Sequence, residues 1–469
     1  MSRHLVALFA ATAATASLLA ACGGGSSSGA AVPPPPPPPP PPVGARGTLL
    51  ATGSASTMSK ATIDAFARVE ANGPAKPGET ATCAVSIRRI DYATVDPAGA
   101  AVAASAGLLV PTGTGCTGAR PLLSAQHGTA AASAFDASDP TGSLPLTAAR
   151  YFASHGYVVV IPDYLGYGAS RAYLTWHPYV DAEANAATVV DAVRAARSWF
   201  ATSEGAASGV TLNGQLFLAG TSEGGYVTLA TQRAMERDAP AEFQLTAVVP
   251  TSGSYDLGAE VLNNLRFADD EGDSESGAAT FLITSYQQIH GDIYAAPGEV
   301  FQSPWSGNVT GLFPGAYSAY SKAMEACEIP FNVTRSPGPP VGNCPRNALL
   351  QSGFVTDYLA RTPGSAGAAM RGHVDANSLV SPAWDPGAPT VLCYGNLDAT
   401  AQANALAAGT ALGLPPENVV DVQTTGPAYI VNWMESASQS DLEYHGQVEA
   451  PGCTAYARYV VLDAYVTPL

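Results

Sequence analysis

The sequence predicts an α/β protein with a mostly parallel central sheet, helices on both faces and an inserted cap. Three observations predict it. Short, fully apolar runs alternate with segments whose apolar residues recur at helical spacing, the pattern of buried parallel strands between covering helices. One stretch, residues 214–230, carries a strand, a sharp turn and a helix start in succession. The alternation then breaks from about 258 to 380, too long for a plain loop, and resumes afterwards.

The chain of 469 residues is 46% hydrophobic, enough for a sizeable core. A net charge of −17 and a pI near 4.7 argue against nucleic acid, whose phosphates need Lys and Arg, and against charge-driven docking on anionic lipid. The N-terminus reads as an export signal. Arg3 and His4 precede an apolar run from Leu5 to Leu19, short and Ala-rich, and Leu19-Ala20-Ala21-Cys22 resembles a bacterial lipobox in which Cys22 is lipidated. Gly23 after the cysteine is compatible with outer-membrane sorting. Gly23 to Ala31 is Gly/Ser-rich, and Pro33 to Pro42 predict a polyproline II rod of roughly 30 Å, a spacer between a lipid anchor and a globular domain. The expected division is a signal peptide at 1–21, a tether at 22–46, a core at 47–257 and 381–469, and a cap at 258–380.

Six cysteines follow Cys22, an even number in an exported chain, with no C-x-x-C spacing that would suggest zinc. The pairing expected is between sequence neighbours: Cys83–Cys116, Cys327–Cys344 and Cys393–Cys453.

Along the chain, Val85–Tyr92 and Ala101–Val110 alternate around the turn signal Asp96-Pro97-Ala98-Gly99, predicting an antiparallel hairpin at the sheet edge. Pro121–Ala125 is a strand ending in Gln126-His127-Gly128-Thr129. Ala148–His155 reads as a short helix, Tyr157–Ile161 as a strand, and Thr188–Phe200 as a helix with Val189, Val190, Val193, Ala196 and Phe200 on one face. Strands at Gln215–Ala219 and Leu245–Val249 follow, and further strands at Thr390–Tyr394 and Asn418–Gln423 come after the break. Within the break, aromatics such as Tyr286, Trp305, Phe313, Phe354 and Tyr358 read chiefly as the core of the cap, with a pocket lining as the alternative. The acidic run Asp269-Asp270-Glu271-Gly272-Asp273 reads as a solvated loop, with a calcium site as the lesser alternative.

The stretch Gly220-Thr221-Ser222-Glu223-Gly224 is G-x-S-x-G between a strand and a helix, the context of a nucleophile elbow. Glycines flank a serine that a strained turn forces to protrude, and the following helix aims its N-terminus at the negative oxygen formed when Ser222 attacks a carbonyl. A serine nucleophile needs a base, and the base an orienting carboxylate. After such elbows the chain order is acid, then His. Of seven histidines only His445 lies beyond the last predicted strand. Asp398, just past the strand at 390–394, is the expected acid, with Asp421 and Asp441 as alternatives. The donors to the oxyanion should be the N–H of Glu223 and that of Thr129 or Gly128, with His127 and Asp163 as structural neighbours.

Together these segments, with Pro162-Asp163-Tyr164-Leu165-Gly166-Tyr167-Gly168 and Gly395-Asn396-Leu397-Asp398, resemble an α/β-hydrolase over roughly residues 83 to 465. Within that superfamily the chain is similar to secretory lipases and secreted esterases, which carry a cap between nucleophile and acid. The resemblance implies hydrolysis of carboxylic esters through an acyl-serine, with Ser222, Asp398 and His445 as the triad and no metal or cofactor. Two other readings remain: a serine peptidase or amidase on the same fold, since Gly-Gly-Tyr after the serine also occurs in oligopeptidases, and a non-catalytic surface-binding lipoprotein.

Overall fold

In a computed structural model of the chain, residues 44–69, 72–267, 275–330, 333–334, 338–341, 344–438 and 443–466 are described. The expected signal peptide, Cys22, the proline run, the acidic run at 269–273 and Asp441 lie outside the described residues.

Twelve strands are formed among the described residues: β1 (Leu49–Thr52), β2 (Ser56–Met58), β3 (Ala84–Val95), β4 (Ala101–Thr112), β5 (Gly118–Gln126), β6 (Val158–Pro162), β7 (Val210–Thr221), β8 (Ala247–Thr251), β9 (Gly338–Val341), β10 (Cys344–Arg346), β11 (Leu392–Tyr394) and β12 (Val419–Asp421). Ten of them make one sheet in the order β1-β3-β4-β6-β5-β7-β8-β11-β12, with β2 also on β3. From β6 to β12 every pairing is parallel, while β1, β2, β3 and β4 are antiparallel additions.

The expected hairpin is β3–β4, in unbroken register from Ala84↔Thr112 to Val95↔Ala101. It is not the edge, which corrects the sequence reading: β1 and β2 pair with its outer strand. Both are short and mostly exposed, so neither carries the burial alternation that reveals a strand.

The helices are α1 (Lys60–Ala67), α2 (Ser143–Tyr151), α3 (Ala182–Trp199), α4 (Ser203–Ala207), α5 (Glu223–Asp238), α6 (Leu257–Phe267), α7 (Glu275–His290), α8 (Tyr320–Glu325), α9 (Ser352–Ala360), α10 (Ala366–Ala376), α11 (Ala399–Ala411), α12 (Val422–Thr425), α13 (Ala428–Ala437) and α14 (Ala450–Tyr456). Alternate strand residues feed opposite faces. Val158, Val160, Leu216 and Leu218 pack with Val193 and Trp199 of α3 and Met235 of α5. Val159, Ile161, Phe217 and Ala219 pack with Ile63 of α1, Tyr151 of α2 and Met434 of α13 on the other face.

Helix α3 starts six residues before its apolar face suggested, because Asp181 caps it by accepting from the N–H of Ala184. The strand expected at Asn418–Gln423 stops at Asp421, which accepts from the N–H of Gln423 and turns the chain into α12.

The segment between β8 and β11 contains α6–α10 and the two-stranded sheet β9–β10. Its aromatics Phe281, Tyr286, Trp305, Phe313, Phe354 and Tyr358 are buried in one cluster with Tyr226 and Val227 of α5. It packs on the loops that leave β5 and β6: Ser133 N–H donates to the Gly315 carbonyl, and Tyr179 N–H donates to Ser285 Oγ. Disulfides join Cys83 to Cys116, Cys327 to Cys344 and Cys393 to Cys453, the neighbour pairing expected.

Candidate active site

The turn between β7 and α5 is built by close backbone approach. Ser222 has φ 61° and ψ −125°, a left-handed conformation that a side-chain-bearing residue holds only when its surroundings fix it. Its N–H donates to the Thr251 carbonyl of β8, and its own carbonyl accepts from Gly225 and Tyr226. The glycines have specific partners. A Cβ on Gly224 would lie 2.2 Å from the Gln126 carbonyl oxygen at the end of β5, and one on Gly225 would lie 2.2 Å from that of Thr251. Small residues here let α5 start against two neighbouring strands at once.

The other two predicted residues reach this turn. His445 Nε2 is 2.9 Å from Ser222 Oγ, and His445 Nδ1 is 2.6 Å from Asp398 Oδ2. Asp398 follows β11 and caps α11, its other oxygen accepting from Ala401 N–H. His445, beyond the last strand as expected, sits in a π-helical turn, Tyr444–Glu449. Such turns recur at functional sites. The carboxylate of Glu443 accepts the N–H groups of His445 and Gly446 and so starts that turn. The His445 side chain is 35% exposed and Ser222 is half-buried, so the hydroxyl–imidazole pair is not sealed from solvent. Burial works against a charged imidazole, but the hydrogen bond and negative charge of Asp398, with a second carboxyl, Glu449, beside the ring, outweigh it and raise the His445 pKa to about 10. Burial also pushes Asp398 upward, yet the bond to His445 leaves it below the usual carboxylate value.

No family model matches the chain, and no curated protein does. Among solved structures, a ligand-bound form of the rice cell wall degrading esterase LipA from Xanthomonas oryzae is 30% identical, over 90% of this chain and 100% of its own, with a TM-score of 0.72. The chain belongs to the α/β-hydrolases. A putative hydrolase from Legionella pneumophila shares the fold at 20% identity, over 84% of this chain and 99% of its own, with a TM-score of 0.62.

In this α/β-hydrolase the loop expected to complete the site lies beside the serine. A Cβ on Gly128 would be 3.4 Å from Ser222 Cβ, and Thr129 Oγ1 is 3.2 Å from Tyr179 OH. Glu223 occupies the first position of α5, where a helix leaves its N–H without an intrahelical acceptor. His127 is buried and stacked on Tyr164, its Nδ1 2.7 Å from the Gly128 carbonyl, and burial lowers its pKa to about 4. Asp163 accepts from Ser105 Oγ and Ala137 N–H and braces the loop after β6. Asp421 caps α12 and lies within reach of Asn396, not of His445.

Two features escaped the sequence. Glu223, directly after Ser222, is a buried carboxyl whose Oε1 lies 2.6 Å from His177 Nε2, while His177 Nδ1 donates to the Leu165 carbonyl. Glu449 is fully buried with Oε2 3.2 Å from His445 Nδ1. Neither pairing has a signal in a single sequence, although the i, i+4 spacing of His445 and Glu449 on one helical turn was available.

The hydrolase also holds a largely apolar cavity lined by residues including Tyr179, Leu257, Glu260, Ile283, Phe354 and Met370. Its polar rim adjoins the site on two sides: Tyr179 meets Thr129, and Glu260 accepts from Asn404 of α11 and from Ser254. Ligand atoms of Asp398, His445 and Glu449 converge within 4.8 Å. The imidazole engages Asp398 through Nδ1 and Ser222 through Nε2, so a cation there would have to displace one of those hydrogen bonds.

Proposed function

We propose that the protein is a serine hydrolase of carboxylic esters, working through an acyl-serine intermediate. The relay from Ser222 Oγ to His445 Nε2 at 2.9 Å, continued from Nδ1 to Asp398 at 2.6 Å, carries this reading. The 30% identity to an esterase over the whole of that chain supports the choice of ester.

Ser222 Oγ attacks the ester carbonyl carbon while its proton passes to His445 Nε2. The imidazolium that forms is stabilised by the Asp398 carboxylate. The carbonyl oxygen becomes an oxyanion, held by the N–H of Glu223 and that of Thr129 or Gly128, with the positive end of the α5 dipole behind it. The C–O bond breaks, His445 returns its proton to the leaving alcohol, and the acyl group stays on Ser222. Water then attacks the acyl-serine, His445 takes its proton, and collapse releases the acid and restores the hydroxyl. The scheme needs neither metal nor cofactor.

In this reading the segment at 258–380 is a cap, and its apolar cavity receives a hydrophobic part of the ester. The three disulfides fit an oxidising, exported setting. We further propose that lipidation at Cys22 and the proline spacer hold the domain off an outer membrane.

The test is hydrolysis of p-nitrophenyl esters from acetate to palmitate, with matching anilides, by the purified protein and by Ser222→Ala. Esters should be cleaved, anilides spared, and Ser222→Ala should lose roughly 10⁵-fold or more in kcat. Undiminished activity in Ser222→Ala removes the assigned nucleophile, and efficient anilide cleavage replaces the esterase reading with an amidase.

A further inference from the structure

We propose that Glu449 is a positioning residue of this site, a second carboxyl that holds Asp398 against His445 Nδ1. The inference rests on the Ser222–His445–Asp398 reading and deepens it.

The geometry is unusual for a residue with only a structural duty. Glu449 has a fully buried side chain at the end of the π-helical turn that carries His445. Oε1 accepts the N–H of Gly395, directly after β11 and three residues before Asp398, at 2.6 Å. A Cβ on Gly395 would meet Tyr444 OH at 2.2 Å and Glu449 Cγ at 3.3 Å, so glycine there is the condition for this carboxyl to lie over the backbone leading to the acid. Glu449 thus links the turn bearing the base to the strand end bearing the acid, beside the Cys393–Cys453 bridge that joins β11 to α14, the helix continuing from that turn.

The second oxygen carries the argument. Oε2 is buried without a hydrogen-bond partner other than its 3.2 Å approach to Nδ1, and Nδ1 has one proton, already directed to Asp398 at 2.6 Å. An ionised Oε2 would be a buried acceptor with no donor of its own, next to the Asp398 charge. A protonated Oε2 becomes a donor, and the Asp398 carboxylate, with an oxygen within 4.8 Å, is the acceptor it faces. The groups facing Glu449 agree. Asp398 brings negative charge, Tyr255 and Tyr444 are phenols without charge, Glu260 faces the Asp398–His445 pair as a further carboxyl, and His445 is the one cationic group. Burial, then the charge of Asp398, push the Glu449 carboxyl upward. Asp398 remains the anion, and Glu449 donates to it as a neutral acid. That hydrogen bond keeps the carboxylate oriented while the imidazole shuttles the proton.

The experiment compares the native protein, Ser222→Ala, Glu449→Gln and Glu449→Ala on a soluble p-nitrophenyl ester, with kcat and KM across pH and a thermal melt for each. Gln keeps an acceptor for Gly395 and a neutral donor for Asp398. Glu449→Ala should lose roughly tenfold to a hundredfold in kcat with KM nearly unchanged, at temperatures where it is fully folded. Glu449→Gln should recover most of that loss and keep the acid limb of the pH profile where the native protein has it. If Glu449→Ala folds and keeps native kcat, the residue is structural only and the proposal falls. If the acid limb in Glu449→Gln moves to lower pH by a unit or more, a charge has been removed and the neutral-acid role is overturned. Should Glu449→Ala fail to fold, the Gln profile alone decides. An inactive native protein, or a Ser222→Ala variant as active as native, would instead fault the esterase reading.

Discussion

Ser222, the proposed nucleophile, and His445, its proposed base, are held in place by different means. On the nucleophile side, backbone packs on backbone: Gly224 and Gly225 bring α5 against the ends of β5 and β8, and Ser222 is fixed at φ 61° between them. On the base side, side chains hold side chains. Asp398 caps α11, Glu443 starts the turn of His445, Glu449 bonds the Gly395 N–H, and a disulfide joins β11 to α14. The first arrangement cannot be altered without moving the main chain. The second can be altered one side chain at a time, so it is where chemistry and stability should separate.

The largest separation is expected from Asp398→Asn. The fold should survive, since asparagine can still cap α11, while kcat falls roughly 10⁴-fold because the imidazole loses its orienting anion. The sign of the pH effect follows. Asp398 helps raise the His445 pKa, so the neutral base is populated only at higher pH. Removing the anion should move the acid limb of the residual activity to lower pH. A native-like rate in Asp398→Asn would mean that another carboxyl does this work.

Gly224→Ala tests the opposite side. Its methyl group would stand 2.2 Å from a backbone oxygen that cannot move aside. A loss of about 3 kcal/mol is expected in urea denaturation, with activity lost along with the fold. Stability equal to the native protein would show that the strand–helix contact is softer than the geometry indicates. Opening the Cys393–Cys453 bridge with paired serines should cost about 2 kcal/mol. It should lower the temperature of half-inactivation while leaving kcat at 25 °C within a few-fold, because Glu449 and Asp398 still hold the base.

The same contrast decides what the sequence could reveal. Backbone constraints leave marks in residue type: only glycine fits at 224 and 225, so the elbow was legible as G-x-S-x-G with a second glycine. That Asp398 and His445 would meet Ser222 was legible from chain order, and the disulfides from an even number of cysteines paired with their sequence neighbours. Side-chain partnerships across long separations leave no such mark. His177 and Glu223 stand 46 positions apart, and a glutamate at 449 looks like any surface carboxylate until its burial is seen. Strands β1 and β2 were hidden for a related reason: exposed edge residues are under little pressure to alternate.

The last contrast is in the pH dependence of stability, where the two sides should slope in opposite directions. His127, beside the nucleophile loop, is buried as a neutral ring with its pKa lowered to about 4. Unfolded, it would titrate near its ordinary value of about 6.5. Between those values the unfolded chain binds more protons, so stability falls as pH drops through that window, and His155, also lowered to about 4 by burial, adds to the same slope. His445 is the reverse. Its folded pKa is raised to about 10, so its contribution is fully present below about 6.5 and is lost as pH climbs toward 10. Melting temperature against pH should therefore fall on both flanks. His445→Gln should flatten the alkaline flank and leave the acid flank alone. His127→Phe, which keeps a ring against Tyr164, should flatten only part of the acid flank, because His155 still titrates there. If His445→Gln leaves the alkaline flank unchanged, the imidazole is not held as a cation by Asp398, and the account of the base side must be rebuilt from that point.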